Sequence, residues 1–101
     1  MAGLIKIGSG VLGGIPVGFY RGKYAVKPFN LAITTECEDG HPKHFADISI
    51  NLGVHLPEDE FVVNHDVQQF EDELMATDLF EDTGKRVNYG YVRQRPIWRL
   101  K

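Results

Sequence analysis

The sequence predicts an α+β fold: a small antiparallel sheet of four to five strands with one packed helix. Three stretches carry that expectation. YAVKPFNLAITTEC (24–37) is rich in β-branched and aromatic residues, with Leu31, Ile33 and Thr35 alternating against Ala32, Thr34 and Glu36. HFADISINL (44–52) returns after an Asp39-Gly40 corner with Phe45, Ile48, Ile50 and Leu52 as its apolar members, Ala46 sitting out of phase, so the two segments read as a β-hairpin. DVQQFEDELMATDLF (66–80) places Val67, Phe70 and Leu74 on one helical face and Glu71, Asp72 and Glu73 off it.

Around these lie shorter elements. Residues 1–23 hold seven glycines and Pro16 and read as an irregular, flexible or hairpin-forming N-terminal arm, separate from a single domain over 24–101. Pro57 with Glu58, Asp59 and Glu60 ends the second strand, and EFVVN (60–64) supplies a third. Asp66 is the expected N-cap, paired with Gln69 in a capping box, and the helix is expected to end near Asp78. Leu79 and Phe80 then enter the core, EDTGKR (81–86) reads as a turn, and VNYGYVRQRPIWRL (87–100) as one or two closing strands interrupted by Pro96.

With 101 residues and 43% hydrophobic content, the chain suits one globular core. No apolar run approaches the ~20 residues of a membrane span. The N-terminus lacks signal-peptide features, and the one cysteine, Cys37, fits a reducing compartment, so a cytoplasmic location is expected.

Gly8, Gly10 and Gly13 form a G-x-G-x-x-G after the apolar Leu4, Ile5 and Ile7. A dinucleotide loop must open a helix whose N-terminus holds the pyrophosphate. Here Gly14, Pro16, Gly18, Gly22 and Pro28 follow, which no helix tolerates, so no nucleotide cofactor is expected. Cys37, His41 and His44, with Asp47 beyond, are the densest set of possible metal ligands, but they lack the paired spacing of zinc sites. His65-Asp66 does not suggest a catalytic pair, because such partners normally meet across a fold. No metal, cofactor or catalytic residue is assigned. The tail YGYVRQRPIWRLK mixes aromatics with arginines, but strand alternation sends Trp98 to the face opposite Arg95 and Arg99, which with the acidic overall charge argues against direct nucleic-acid binding.

Charge is the informative feature. All 14 acidic side chains lie between Glu36 and Asp82, opposed there only by Lys43, while residues 1–35 and 83–101 carry only basic ones. Either the basic ends fold back on the acidic middle, or Glu58, Asp59, Glu60, Glu71, Asp72, Glu73, Asp78, Glu81 and Asp82 form an acidic surface for a basic partner protein.

LAI (31–33), DGHP (39–42), SINL (49–52), LPEDEFVVN (56–64), the FEDEL helix, DTGKR (82–86), Gly90-Tyr91 and Pro96-Ile97-Trp98 together resemble a family of short proteins carried by phages and mobile elements of gut bacteria, described only as a domain of unknown function. The resemblance spans about residues 24–100 and rests on turns and core positions. It implies an inhibitor of a host defence complex, of the anti-CRISPR type, rather than an enzyme. The acidic surface would compete with nucleic acid for that complex. The alternatives are a small metal-dependent enzyme built on Cys37, His41 and His44, and a structural module that self-assembles through a sheet edge.

Overall fold

The computed structural model describes residues 3–38, 40, 43–89 and 92–101. The chain is antiparallel β with one short helix, as the sequence implies, but the strands form two four-stranded sheets instead of one. The first sheet contains β1 (Ile5–Leu12), β2 (Ile15–Lys23), β3 (Leu31–Cys37) and β4 (His44–Asp47), in that order. The second contains β5 (Ser49–Ile50), β6 (Glu60–Val63), β7 (Phe80–Tyr89) and β8 (Val92–Leu100), in the order β5-β6-β8-β7. Between β6 and β7 come a 3₁₀ segment (His65–Phe70) and the helix α1 (Glu71–Ala76).

The division into two sheets originates at Ile48. HFADISINL does not run as one strand: the Ile48 N–H donates to the Ile33 carbonyl in the first sheet at 2.9 Å, while its own carbonyl accepts from the Asn64 N–H in the second at 2.8 Å. One residue is thus hydrogen-bonded into both sheets, the bend by which a strand changes sheet at a corner. Ser49 Oγ fixes the bend by accepting from the Ile33 N–H at 2.9 Å and bonding the Tyr24 hydroxyl at 2.8 Å.

The glycine-rich start is ordered strand. Gly13 and Gly14, at φ +59° and +82°, make the two-residue turn between β1 and β2, in which both central residues need positive φ. Leu12, Val17 and Phe19 of this hairpin are fully buried, so residues read as a separate arm contribute to the core. Gly8 and Gly10 serve close packing: a Cβ on Gly8 would lie 3.0 Å from the Leu79 methyls, and one on Gly10 3.0 Å from Thr77 Cγ2 and 3.1 Å from Phe19.

Four further expectations are corrected. Residues 24–30 form a loop, closed by the Phe29 N–H on the Val26 carbonyl, so only Leu31–Cys37 is strand, since Pro28 offers no N–H and Phe29 takes a left-handed φ of +52°. Asn64, not Asp66, caps the helical segment: its side chain accepts from the Asp66 N–H at 3.1 Å, because the chain leaves β6 still extended there. Kinked at Val67, the first turns are 3₁₀ and true α-helix covers only Glu71–Ala76, ending as expected before Asp78, which is left-handed at φ +62°. EDTGKR is a bulge inside β7, not a turn between strands: the pairing steps from Asp82–Trp98 to Arg86–Pro96, with Gly84 at φ +83° and Thr83 Oγ1 donating to the Ile97 carbonyl at 2.7 Å. The Asp39-Gly40 corner lies partly outside the described residues.

β8 runs unbroken through Pro96 because the β6 ladder stops at Val62–Ile97, just before the missing N–H would be needed. The sheets share a core of Phe19, Leu31, Ile33, Phe61, Phe80 and Trp98, closed at one end by Val67 and Leu74. A smaller cluster of Leu56, Val62 and Ile97 lies beyond it. Asn30 ties the 24–30 loop to that region, donating to the Val54 carbonyl at 2.6 Å and accepting from the Leu56 N–H at 3.3 Å. Among the described residues no helix is long and apolar enough to cross a membrane.

If Gly10 is glycine to admit Thr77 and Phe19, then Gly10→Val overpacks that contact and destabilises the fold by about 1–3 kcal/mol. Urea denaturation checks this, with Gly53→Ala as a control for positive-φ cost alone, since nothing lies within 4 Å of a Cβ at Gly53.

Candidate functional site

Among the described residues, six of the 14 acidic side chains pair with the basic ends. Lys85 Nζ lies 2.5 Å from buried Glu60, Arg95 Nη2 3.0 Å from Glu71, Arg86 Nη1 2.9 Å from Asp82 and Lys101 Nζ 2.5 Å from Asp78, and Arg99 pairs with Glu81. Lys6 pairs with Glu38 at 2.6 Å. Glu60 Oε1 makes no directional hydrogen bond among the described residues, and the charges of Lys85 and of the cross-strand Arg99 compensate it. Glu73 accepts from the Gly13 N–H at 3.1 and 3.3 Å, pinning the β1–β2 turn to α1.

The nine acidic residues therefore occupy several places. Glu60 and Glu81 flank Arg99 across β6, β8 and β7. Glu73 faces the first hairpin, Asp78 follows α1, and Glu58 and Asp59 are exposed before β6. Glu71, Asp72 and Asp82 come together, lining an open groove of about 450 Å³ between α1 and β7–β8.

This groove is the candidate site because it gathers three of the nine acidic residues. Pro96, Trp98 and Met75 form its apolar side, and the Glu71–Arg95 and Asp82–Arg86 pairs its polar one. Gln68, Asp72 and Gln94 complete the lining. Asp72 is exposed, and no ion pair to it is found among the described residues.

Arg95 organises the groove. The tail pattern places its arginines in water, yet Arg95 is only 6% exposed. Its Nε donates to the Val63 carbonyl at 3.1 Å, and its Nη2 to the Asn64 carbonyl at 3.3 Å and to Glu71 at 3.0 Å. Those carbonyls belong to the chain leaving β6, where the backbone ladder has ended, so the guanidinium supplies donors that β8 no longer provides. Trp98 faces inward, as alternation predicts. Tyr91 lies outside the described residues, as do the side chains of Tyr89 and Arg93.

The metal set does not assemble where it can be followed. Cys37 is buried, His44 Nε2 turns to Asp47 Oδ1 at 3.0 Å, and His41 lies outside the described residues. No group of three potential ligands comes together among those described. The glycine motif lies in a strand and its hairpin turn, and the chain continues from it into β2 and not into a helix, so it does not build a strand–loop–helix phosphate site. Family models, curated proteins and solved structures were compared with the chain, and none matches.

Hydrogen bonds from basic partners hold three exposed carboxyls below the usual carboxylate range: Lys6 acts on Glu38, Lys101 on Asp78 and Arg86 on Asp82. Burial pushes the Tyr24 hydroxyl up. A carboxyl lowered in the folded state stabilises above its unfolded pKa and loses that contribution as pH falls through the folded one. Stability is therefore expected to be level near neutrality and to fall below about pH 4. The slope should be shallow because the pairs are exposed, and flatter at high salt. Urea midpoints between pH 7 and pH 2, at low and high ionic strength, test this; Asp78→Asn should reduce the slope.

Removing Arg95 is expected to be severe. Arg95→Ala strands two carbonyls and the Glu71 carboxylate and should destabilise by about 3–5 kcal/mol, whereas Glu71→Gln, which keeps an acceptor, should have a much smaller effect. Thermal unfolding of both variants checks the ranking.

Proposed function

We propose that this chain is a non-enzymatic binding protein of phage or mobile-element origin that inhibits a bacterial nucleic-acid-targeting defence complex, of the kind CRISPR effectors represent. It does so inside the host cell, by taking a basic side chain of that complex into the α1 groove. The observation that carries the reading is Asp72, an exposed carboxylate beside a groove large enough for a side chain.

Lysines and arginines that hold phosphate present N–H donors in water-accessible clefts, and a carboxylate on an apolar shelf competes for the same donors. Glu71 and Asp82 add negative charge, although Arg95 and Arg86 already engage them. The acidic surface is thus narrower than nine residues. The resemblance to phage-borne proteins supplies the biological setting, and the groove supplies the chemistry.

Asp72 is the residue to reverse, since Glu71 and Glu73 have structural partners whose loss would confuse the result. Nucleic-acid cleavage by purified CRISPR effectors should be inhibited by the wild-type chain, more weakly as salt rises. Asp72→Lys should raise the half-inhibitory concentration at least about tenfold, near 1.4 kcal/mol, without moving the unfolding midpoint. Undiminished inhibition by Asp72→Lys and by Gln68→Lys would remove the groove from the mechanism.

A further inference from the structure

β2 runs past the core. Val17 and Phe19 on its inward face are fully buried, and Arg21 and Lys23 continue the same row toward the end of the strand, where exposure rises. They stand about 6.6 Å apart along the strand, so each can meet a separate charge of one partner. Both line a hollow of about 290 Å³ with Gly3 and Ile5. Lys23 also lines a second hollow, of about 390 Å³, with Phe29, His55 and Pro57, so the two meet at its side chain and form one trough.

The second hollow is preformed. Asn30, 7% exposed, ties its two walls together through the Val54 carbonyl and the Leu56 N–H. Pro28, Leu31 and Leu56 make those walls apolar. Phe29 lines it with half its surface in water, on a φ of +52° that a bulky side chain seldom adopts. A ring held in water on a strained backbone is a contact face without a partner inside the fold.

Charge decides what fits. Among the described residues six of the 11 lysines and arginines pair with acids. No ion pair to Arg21, Lys23 or Lys27 is found among the described residues, and Lys27 is exposed on the loop that carries Phe29. The acid in the trough is Glu58, which shares the hollow with Phe29 and not the one with Arg21. Three unpaired cations beside one carboxylate suit a polyanion, and the exposed ring suits a flat group. A single-stranded nucleic acid supplies both, as phosphates and as unpaired bases.

We propose that this trough binds single-stranded nucleic acid, with successive phosphates on Arg21 and Lys23 and an unpaired base stacked on Phe29. Glu58, on the Phe29 side of Lys23, is left to accept from a base amino group. The site shares no residue with the α1 groove and does not rest on that reading.

Fluorescence anisotropy of a labelled single-stranded DNA of about ten nucleotides tests this, with the full chain titrated at low salt. A dissociation constant between about 1 and 100 µM is expected. Log affinity should fall with log salt at a slope of about −1.4, from two phosphates at about −0.7 each. Lys23→Ala should halve that slope. Phe29→Asn, which suits a left-handed backbone, should weaken binding at least about fivefold and leave the slope unchanged. Both side chains are exposed, so the unfolding midpoints should not move. A duplex of the same length should bind more weakly, and poly-glutamate should fail to displace the strand. The proposal is overturned by no binding up to about 500 µM chain, by affinity that neither substitution moves, or by equal affinity for the duplex. Displacement by poly-glutamate also overturns it and makes the partner an acidic protein.

Discussion

The Phe80 ring holds the molecule together. It packs edge-on against Phe61 at 5.5 Å between ring centroids, stacks on Trp98 at 6.0 Å, and meets Phe19 of the other sheet edge-on at 6.0 Å. Three strands of the second sheet and one of the first thus converge on one side chain. Aromatic pairs in such geometries add about 0.5–1.5 kcal/mol each beyond the area they bury. The helix depends on this hub. Six residues are too few for a helix to persist alone, so α1 exists because Val67 and Leu74 are buried ahead of Phe80 and the left-handed Asp78 turns the chain directly into β7. The groove beside Asp72 has Trp98 in its wall and is therefore built on the same cluster.

What the sequence makes legible is what local pattern controls. The strand at Leu31–Cys37, the apolar set Val67–Phe70–Leu74 and the inward Trp98 follow from periodicity and hold in the structure, although β3 is buried on both faces, so its alternation does not separate core from solvent. The two-sheet division also leaves a trace. Apolar positions in HFADISINL fall on odd numbers at Phe45 and on even ones from Ile48 onward, a change of face that a straight strand cannot make. Ala46, out of phase, marks the same bend. By contrast, Gly8 and Gly10 answer to Leu79 and Thr77, roughly seventy residues later, and no local rule tells such a glycine from a turn-former. Gly84 looks like a turn residue for the same reason, and only the partner strand shows that β7 continues past it.

Charge follows the same division between local and distant. Segregation along the chain is visible at once, but whether it survives folding depends on contacts such as Lys6–Glu38 and Arg95–Glu71, between residues more than twenty positions apart. Among the described residues the structure pairs six of the 14 acids with the basic ends and leaves Asp72 exposed beside the groove. Arg95 departs from the pattern that sends the tail arginines to water. Its signal is Pro96 beside it: a proline within a closing strand ends a neighbouring ladder, the carbonyls beyond must find donors, and a guanidinium adjacent to the proline can reach them.

The two sides of α1 differ, with Asp72 and Met75 toward the groove and Glu73, Ala76 and Thr77 toward β1. A shallow groove that holds one basic side chain binds weakly by itself, because most of what it gains is offset by the loss of translational and rotational freedom. Any tight association through this groove therefore needs further contacts beside it. Those cannot come from the β1 side of α1 without cost, since Glu73 there is already engaged by the Gly13 N–H and Thr77 packs within reach of Gly10. The exposed Asp72 face and the neighbouring Gln68 and Gln94 are the groups still able to meet a partner without disturbing the hairpin.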